Sequence, residues 1–156
     1  MVCPEHRHMI VGLEYADSFC FNPHKWLLVN FDCSALFVRN RASLENAMRV
    51  DQEIYKNEAT RSGLVTDYKN WQVPLGRRFR ALKVWFVLRM YGVVGLQNHI
   101  RRHCVLALQF NALVLSDDRM EMTSVTHLGL VCFRFKGAET SKRNALNLHI
   151  LDELNK

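Results

Sequence analysis

A long helical pattern of apolar residues follows the Pro74-Leu75-Gly76 turn and limits what this chain can fold into. The residues that recur at the spacing of one helix face are Phe79, Leu82, Phe86, Met90 and Val93. Gly92 and Gly95 are expected to break this helix, and a second helix is predicted over residues 96–115. Any fold for this chain must therefore place two long helices, the first of them apolar over much of its surface.

Short apolar segments on both sides of these helices predict β-strands. Strands are expected at residues 16–21, 27–30, 34–39, 120–124 and 130–135. A third long helix is expected over residues 141–154, and a short helix or turn over residues 5–15. Short strands that are mixed with long helices indicate an α/β or α+β class.

The positive charge of the chain is concentrated around the two long helices. Between Asp67 and Asp117 there is no acidic residue, whereas eight of the 21 lysines and arginines lie there. Such a region can bind nucleic acid, a phosphate group or an acidic surface that this chain does not contain. The aromatic residues of this region fall at helical spacing, which favours packing over a platform for base stacking.

The rest of the composition indicates a cytoplasmic protein. No apolar run approaches the roughly 20 residues that a membrane span needs, and the N-terminus has no apolar segment followed by a cleavage site. The five cysteines are odd in number and widely spaced, which is typical of reduced thiols. The chain ends within its last predicted helix and its first strands lack neighbours, so a piece of a larger domain is expected.

One lysine lies in an unusual apolar and aromatic context. The segment that contains Lys25 reads FNPHKWLLVNFDCSALF, from Phe21 to Phe37. Burial of an unpaired ammonium group is costly, so an ordinary core has no use for this residue. Two interpretations follow: a solvated lysine at a strand edge, or an amine held in a pocket where it can form a Schiff base with an aldehyde such as pyridoxal phosphate.

Longer motifs extend this observation over most of the chain. NPHKW with LLVNFDCSALFVRN, then DYKNWQVPLGRRFRALKVWFVLRMYGVVGLQNHIRRH, and finally HLGLVCFRFKG occur in this order. Together they resemble the group II pyridoxal-phosphate-dependent amino acid decarboxylases. The segments NFDCSAL and RMYGV favour the branch that contains the aromatic-L-amino-acid, tyrosine and histidine decarboxylases.

This resemblance implies a fold and a domain division. The fold would be an α/β fragment of the fold-type I architecture of pyridoxal-phosphate-dependent transferase-like proteins. Residues 1–115 would form the C-terminal part of the large cofactor-binding domain, with a mobile loop at residues 49–66. Residues 116–156 would begin the small C-terminal domain. The family's upstream half, with the aspartate that pairs with the pyridine nitrogen, would not be present in this chain.

The resemblance also implies roles for residues around the lysine. Lys25 would bind the cofactor covalently, and His24 would assist with phosphate and substrate contacts. Asn22 would lie near the phosphate group, and Phe31 would line the substrate pocket. The sequence itself assigns none of these roles and no metal site.

Two further sites are implied at a greater distance along the chain. Leu75 and Gly76 would reach the phosphate of the partner subunit's cofactor, since these enzymes are homodimers with shared active sites. Tyr55 in the mobile loop would donate a proton to the substrate carbon after CO2 leaves. The family more often has tyrosine, an apolar residue and then a base, whereas this chain has Ile54-Tyr55-Lys56. An ungapped alignment therefore places Ile54 at the catalytic position.

The implied function is decarboxylation of an aromatic L-amino acid to the corresponding amine, with no nucleic-acid or membrane partner. Because the family's chain is roughly three times longer, low activity of this chain alone is expected. The alternatives are an inactive remnant that at most docks on full-length subunits, a relative of the aromatic aldehyde synthases, and a basic nucleic-acid-binding module.

Overall fold

The computed structural model describes residues 2–50, 52–55, 57–62, 64–137 and 139–156. The chain forms two compact units, Met1–Val93 and Val94–Lys156. Fully or nearly fully buried apolar side chains are few, and the described ones are Cys3, Val29, Cys33, Leu96, Ile100, Ala107 and Val114. The predicted division after residue 115 concerns the domains of the longer family chain and stays a prediction.

The first unit begins with two 3-10 helical segments, Pro4–Ile10 and Leu13–Tyr15. Strand β1, Ser18–Phe21, then pairs in antiparallel register with strand β2, Ala35–Val38. A single helical turn, α1 at Pro23–Trp26, lies in the connection between the two strands. The strands predicted at residues 16–21 and 34–39 are therefore confirmed in shortened form.

The strand predicted at residues 27–30 is wrong. Pro23 occupies the first turn of α1, where its fixed φ favours a helix and its missing N–H is not needed. The turn closes when the N–H of Leu27 donates to the carbonyl of Pro23 over 3.2 Å. Leu28 then takes a φ of 60°, a left-handed conformation that interrupts extended backbone.

Helix α2, Arg41–Met48, starts at an asparagine cap. The side chain of Asn40 accepts hydrogen bonds from the backbone N–H groups of Ala42 and Ser43, at 3.0 and 3.3 Å. In the predicted loop at residues 49–66, residues 51, 56 and 63 lie outside the described residues. The described parts of that segment contain two short helical turns, a 3-10 turn at Glu53–Tyr55 and α3 at Glu58–Arg61.

A 3-10 turn at Tyr68–Trp71 follows that segment and packs against α2. The indole N–H of Trp71 donates to the carboxylate of Glu45 over 2.9 Å. Arg41 makes an ion pair with the same carboxylate at 2.6 Å, and its guanidinium lies 5.5 Å from the centre of the Trp71 rings. The two segments that flank the predicted loop are thus held together.

Helix α4, Ala81–Leu115, is the longest element. It is interrupted at Gly92, whose φ of 61° and ψ of 179° are not helical. The predicted break at Gly92 is confirmed, but the predicted break at Gly95 is wrong because that residue is helical. A glycine inside a helix costs only about 1 kcal/mol relative to alanine, which neighbouring residues readily offset.

The second unit contains the rest of α4, a two-stranded sheet and a final helix. Strand β3, Met120–Met122, pairs antiparallel with strand β4, Phe133–Phe135, and helix α5 spans Thr140–Leu154. These elements confirm the predicted second pair of strands and the last helix. Within the described ranges, no helix is both long enough and apolar enough to cross a membrane.

Candidate active site around Lys25

The single turn of α1 presents Lys25 to solvent. Pro23 is buried beneath the turn, and the backbone N–H of Lys25 donates to the carbonyl of Asn22 over 3.1 Å. The lysine side chain is exposed. Within the part of the chain that the structure describes, its ammonium group makes no hydrogen bond or ion pair. This amine is therefore accessible to an electrophile from solution.

His24 is tied to the backbone of one residue beyond the turn. Its Nδ1 atom lies 2.6 Å from the carbonyl oxygen of Cys33 and 3.0 Å from the backbone nitrogen of the same residue. A protonated Nδ1 donates to the carbonyl, and an unprotonated Nδ1 accepts from the N–H. Cys33 is only 4% exposed, so this contact anchors the imidazole to a buried part of the unit.

Phe31 and Asn22 complete the surroundings of the turn. The ring of Phe31 meets the imidazole of His24 edge-on, with ring centres 5.0 Å apart, and is 83% exposed. The side-chain oxygen of Asn22 accepts a hydrogen bond of 2.5 Å from the hydroxyl of Ser34. Four sequence-predicted residues, Asn22, His24, Lys25 and Phe31, therefore lie in one local cluster.

Ser34 is a site neighbour that sequence reasoning missed. The register of the first hairpin pairs Phe21 with Ala35, which places Asn22 and Ser34 opposite each other just beyond the paired residues. The sequence signal was available, because Ser34 is the first residue of the strand predicted at residues 34–39. Its hydroxyl adds a donor and an acceptor beside the lysine turn.

Asp32 was also missed, and it is the most heavily paired acid near the site. Its carboxylate is held by Arg80, at 3.1 and 3.2 Å, and by Arg78 at 3.4 Å. The hydrogen bond from Arg80 is the largest cause that lowers the pKa of Asp32 below its usual value. The ammonium of Lys83 donates to the carbonyls of Asn30 and Asp32, at 3.2 and 3.0 Å.

The remaining predicted site residues are not joined to this cluster. The side chain of Gln72 donates to the carbonyls of Pro74 and Gly76, each over 2.9 Å, and so shapes the turn that carries Leu75. A Cβ atom added at Gly76 would meet no atom within 4 Å. Among the described residues, no hydrogen bond or ring contact links Leu75 or Gly76 with Lys25.

The two candidate residues of the predicted loop, Tyr55 and Ile54, differ in their exposure to solvent. Tyr55 is half-buried, and its backbone N–H donates to the carbonyl of Gln52 over 3.0 Å. Ile54 beside it is 83% exposed. Among the described residues, no hydrogen bond or ring contact joins either residue to the lysine turn. The assignment of Tyr55 stays a prediction.

Two cavities lie elsewhere in the chain. One of about 500 Å³ is lined by residues of β1, β2 and the segment before them, and one of about 680 Å³ lies between α4, β4 and α5 in the second unit. Neither lining includes Lys25. The lysine turn of this chain is therefore an open surface feature rather than part of either cavity.

Comparison with known proteins identifies the family to which this chain belongs. The pyridoxal-dependent decarboxylase conserved domain matches residues 1–136, most of the chain. The chain belongs to the pyridoxal-dependent decarboxylase family. The group II resemblance that was read from NPHKW and the later motifs is thereby confirmed.

Individual members of the pyridoxal-dependent decarboxylase family agree with this assignment. An aromatic-L-amino-acid decarboxylase of Sus scrofa is 54% identical over 154 residues, which cover 99% of this chain and 31% of that protein. The structure of Oryza sativa TDC with PLP and tryptamine matches with a TM-score of 0.91 and 42% identity, over 98% of this chain and 32% of that one.

A third relative is named for a different activity. The structure of Rhodiola rosea 4-hydroxyphenylacetaldehyde synthase matches with a TM-score of 0.81 and 35% identity, over 98% of this chain and 30% of that one. These structures confirm the predicted α/β fold of the fold-type I decarboxylases. The chain spans about 31% of the length of the curated relatives it matches.

Proposed function

We propose that this chain carries the cofactor-lysine segment of a pyridoxal-phosphate-dependent aromatic L-amino acid decarboxylase. The observation that carries the proposal is the exposed amine of Lys25, which has no ion-pair or hydrogen-bond partner among the described residues. It lies on a proline-started turn beside His24, in a chain of the decarboxylase family. The identity to aromatic-L-amino-acid decarboxylases supports an aromatic substrate. The product would be the corresponding amine.

The residues around the turn fit a phosphorylated aldehyde. Lys25 supplies an accessible primary amine as the attachment point. Ser34 and Asn22 place a hydroxyl and an amide side by side, and these groups suit a phosphate ester or a ring substituent. When bound, pyridoxal phosphate supplies a ring that accepts the electrons released as the substrate carboxylate leaves.

The other residues of the proposed site would position the cofactor and the substrate, and one of them would transfer a proton. His24 orients its imidazole through Cys33 and presents the remaining ring nitrogen, Nε2, to phosphate or substrate. Phe31 offers an exposed ring for an aromatic substrate. Tyr55 would hold the phenolic proton that is delivered to the substrate carbon.

The whole enzyme is proposed to be a cytoplasmic homodimer with shared active sites. Leu75 and Gly76 would contact the phosphate of the partner subunit's cofactor, and the open space at Gly76 is compatible with close approach of a ligand. Among the described residues the five cysteines form no disulfide bond, which supports a reducing compartment.

Two alternatives stand beside this proposal. The likeness to 4-hydroxyphenylacetaldehyde synthase supports an aldehyde-forming relative that uses the same lysine. The second alternative is an inactive remnant that at most docks on full-length subunits. Both alternatives keep the family and differ in what happens after cofactor attachment.

The experiment is borohydride trapping of the cofactor. The purified chain is mixed with pyridoxal phosphate, reduced and digested, and the pyridoxyl group is located by mass spectrometry. Lys25→Ala is the test variant, and Lys142→Ala is the matched control because Lys142 is an exposed lysine of α5 in the second unit. Lys69 is an internal reference, since its ammonium is paired with Asp67.

The proposal expects selective labelling of Lys25 that Lys25→Ala abolishes and Lys142→Ala leaves unchanged. Addition of the upstream half of a relative, followed by an assay for amine, aldehyde or neither, then separates the three functions. Equal labelling of Lys25, Lys69 and Lys142 would overturn the proposal that this chain retains a cofactor site.

A further inference from the structure

We propose that Asp32 is a positioning residue that sets the orientation of His24 and, through it, of the turn that carries Lys25. The inference deepens the proposed cofactor site and rests on it. The resemblance assigned no role to Asp32, Arg80 or Lys83. Three sets of contacts connect the residues around the start of α4 with the lysine.

The first step joins the start of α4 to the segment at residues 30–33. Arg80 binds the Asp32 carboxylate through its Nε and its terminal nitrogen, at 3.2 and 3.1 Å, and Arg78 adds a second guanidinium at 3.4 Å. The ammonium of Lys83 donates hydrogen bonds to the carbonyls of Asn30 and Asp32. Side chain and backbone of this segment are therefore held together by one group of cations.

In the second step, Cys33 connects the segment that contains Asp32 with the imidazole of His24. Cys33 follows Asp32 directly, is 4% exposed, and places its thiol 3.9 Å from the carbonyl oxygen of Arg80. The carbonyl and N–H of Cys33 are the two groups that flank Nδ1 of His24. A shift of Asp32 therefore moves the two backbone groups that fix the imidazole.

The third step leads from the imidazole to the amine. His24 and Lys25 are adjacent residues of α1, a single turn of four residues. So short a helix has no independent stability, because helix nucleation is unfavourable and isolated helices need about 12 or more residues. The His24–Cys33 contact is thus a main tertiary constraint on the direction in which Lys25 points.

This arrangement also accounts for part of the acid-free basic region. Arg78, Arg80 and Lys83 belong to that region, and all three bind the segment at residues 30–33 of the same unit. They therefore have partners within the chain.

The test uses Asp32→Asn, which keeps the shape of the side chain and removes its charge. Asp117→Asn is the matched control, because Asp117 also binds an arginine but lies in the second unit. Two readouts are taken on the same protein: the nuclear magnetic resonance signals of the His24 ring, and the rate of pyridoxal phosphate trapping at Lys25. Asp32→Glu tests rescue by retained charge.

The proposal expects shifted His24 ring signals in Asp32→Asn and slower trapping at Lys25 by about tenfold, the scale on which a small misplacement of a reacting group acts. Trapping at Lys142 and the amide signals of the second unit should not change. Asp32→Glu should recover part of the rate, whereas Asp117→Asn should match the parent chain.

Unchanged His24 signals in a folded Asp32→Asn protein would overturn the positioning role. If that variant does not fold, Arg80→Lys replaces it, since it keeps the charge and removes the guanidinium fork; unchanged His24 signals and trapping there would overturn the role equally. If the parent chain shows no selective trapping at Lys25, the proposed cofactor site fails, and the His24 signals alone still decide whether Asp32 positions the imidazole.

Discussion

His24 and Cys33 are nine residues apart in the chain, yet Nδ1 of the imidazole lies 2.6 Å from the carbonyl oxygen and 3.0 Å from the backbone nitrogen of the cysteine. One ring atom thus faces both polar groups of a single buried residue. Neither group belongs to a helix or strand, so the histidine replaces the partner that regular secondary structure would provide.

Replacement of His24 by phenylalanine should therefore destabilise the first unit. His24→Phe keeps an aromatic ring against Phe31 but leaves the backbone polar groups of Cys33 without this partner. A loss of about 1–3 kcal/mol in the free energy of unfolding is expected, measured by urea denaturation. His8→Phe is the control, because its Nδ1 contacts the carbonyl of Glu5 at an exposed position. An equal loss in both variants would contradict this prediction.

Asn147 of α5 should be a critical residue of the second unit. Its side-chain oxygen accepts from the N–H of Phe135 over 2.8 Å, and its side-chain nitrogen donates to the carbonyl of Phe135 over 3.1 Å. The amide therefore pairs with β4 as a neighbouring strand would. Asn147→Ala should lower the free energy of unfolding by about 1–3 kcal/mol in a urea titration.

The control for that variant is Asn144→Ala on the exposed side of the same helix. Alanine has a higher helix propensity than asparagine, so Asn144→Ala should leave stability unchanged or raise it by a few tenths of a kcal/mol, up to about 0.7. A stability loss at position 144 comparable to that at position 147 would show that α5 itself, rather than the pairing with β4, is being measured.

Gly92→Ala should either unfold part of α4 or straighten it. The φ of 61° and ψ of 179° at Gly92 belong to a region that only glycine adopts readily. A side chain there should lower the free energy of unfolding by about 1–3 kcal/mol. Thermal unfolding monitored by circular dichroism measures this loss. Gly76→Ala is the control, since its φ is not positive and an added Cβ meets open space. No difference between the two variants would contradict the strain argument.

Ionised Asp117 should stabilise the folded chain, and this stabilisation should be lost at acidic pH. Arg119 binds its carboxylate with two side-chain nitrogens and one backbone N–H, and the side-chain hydrogen bond is the main cause that lowers the pKa from 3.8 to about 2. Since the folded-state pKa is depressed, the stabilisation is present above about pH 4 and is lost as the pH falls toward 2. Thermal midpoints at a series of pH values measure it.

Asp117→Asn should therefore lower the midpoint at neutral pH and converge with the parent chain near pH 2. Because the pair is exposed, high salt should reduce the difference between the two proteins. Asp152→Asn is the control, since that exposed carboxylate of α5 makes no ion pair among the described residues. A difference between parent and Asp117→Asn that is independent of pH would contradict the assignment.

Much of the secondary structure could be predicted because it depends on local patterns. The break at Gly92 and the helix α5 follow from glycine chemistry and apolar spacing. The strand predicted at residues 27–30 failed because an apolar run has no period that separates a strand from buried irregular backbone. Pro23 and the left-handed Leu28 decided that segment.

In the candidate site, too, residues of a local motif were predicted, whereas residues defined by distant contacts were missed. Lys25 and His24 were predicted because the contiguous segment NPHKW resembles the cofactor-lysine segment of the family, and their roles stay a prediction. Asp32 and Ser34 were missed because their roles arise from partners elsewhere in the chain, in the start of α4 and across the first hairpin. A sequence pattern does not indicate which of many distant charges an aspartate binds.

By itself, the sequence determined the family, because the family is encoded in short ordered motifs, and it predicted Lys25 as the cofactor lysine. The tertiary structure alone decided that three cations of the acid-free region bind Asp32 and that the imidazole of His24 contacts the backbone of Cys33. The physical reason is that hydrogen bonds and ion pairs act over a few ångströms in space. Separation along the chain does not restrict them once the backbone has folded.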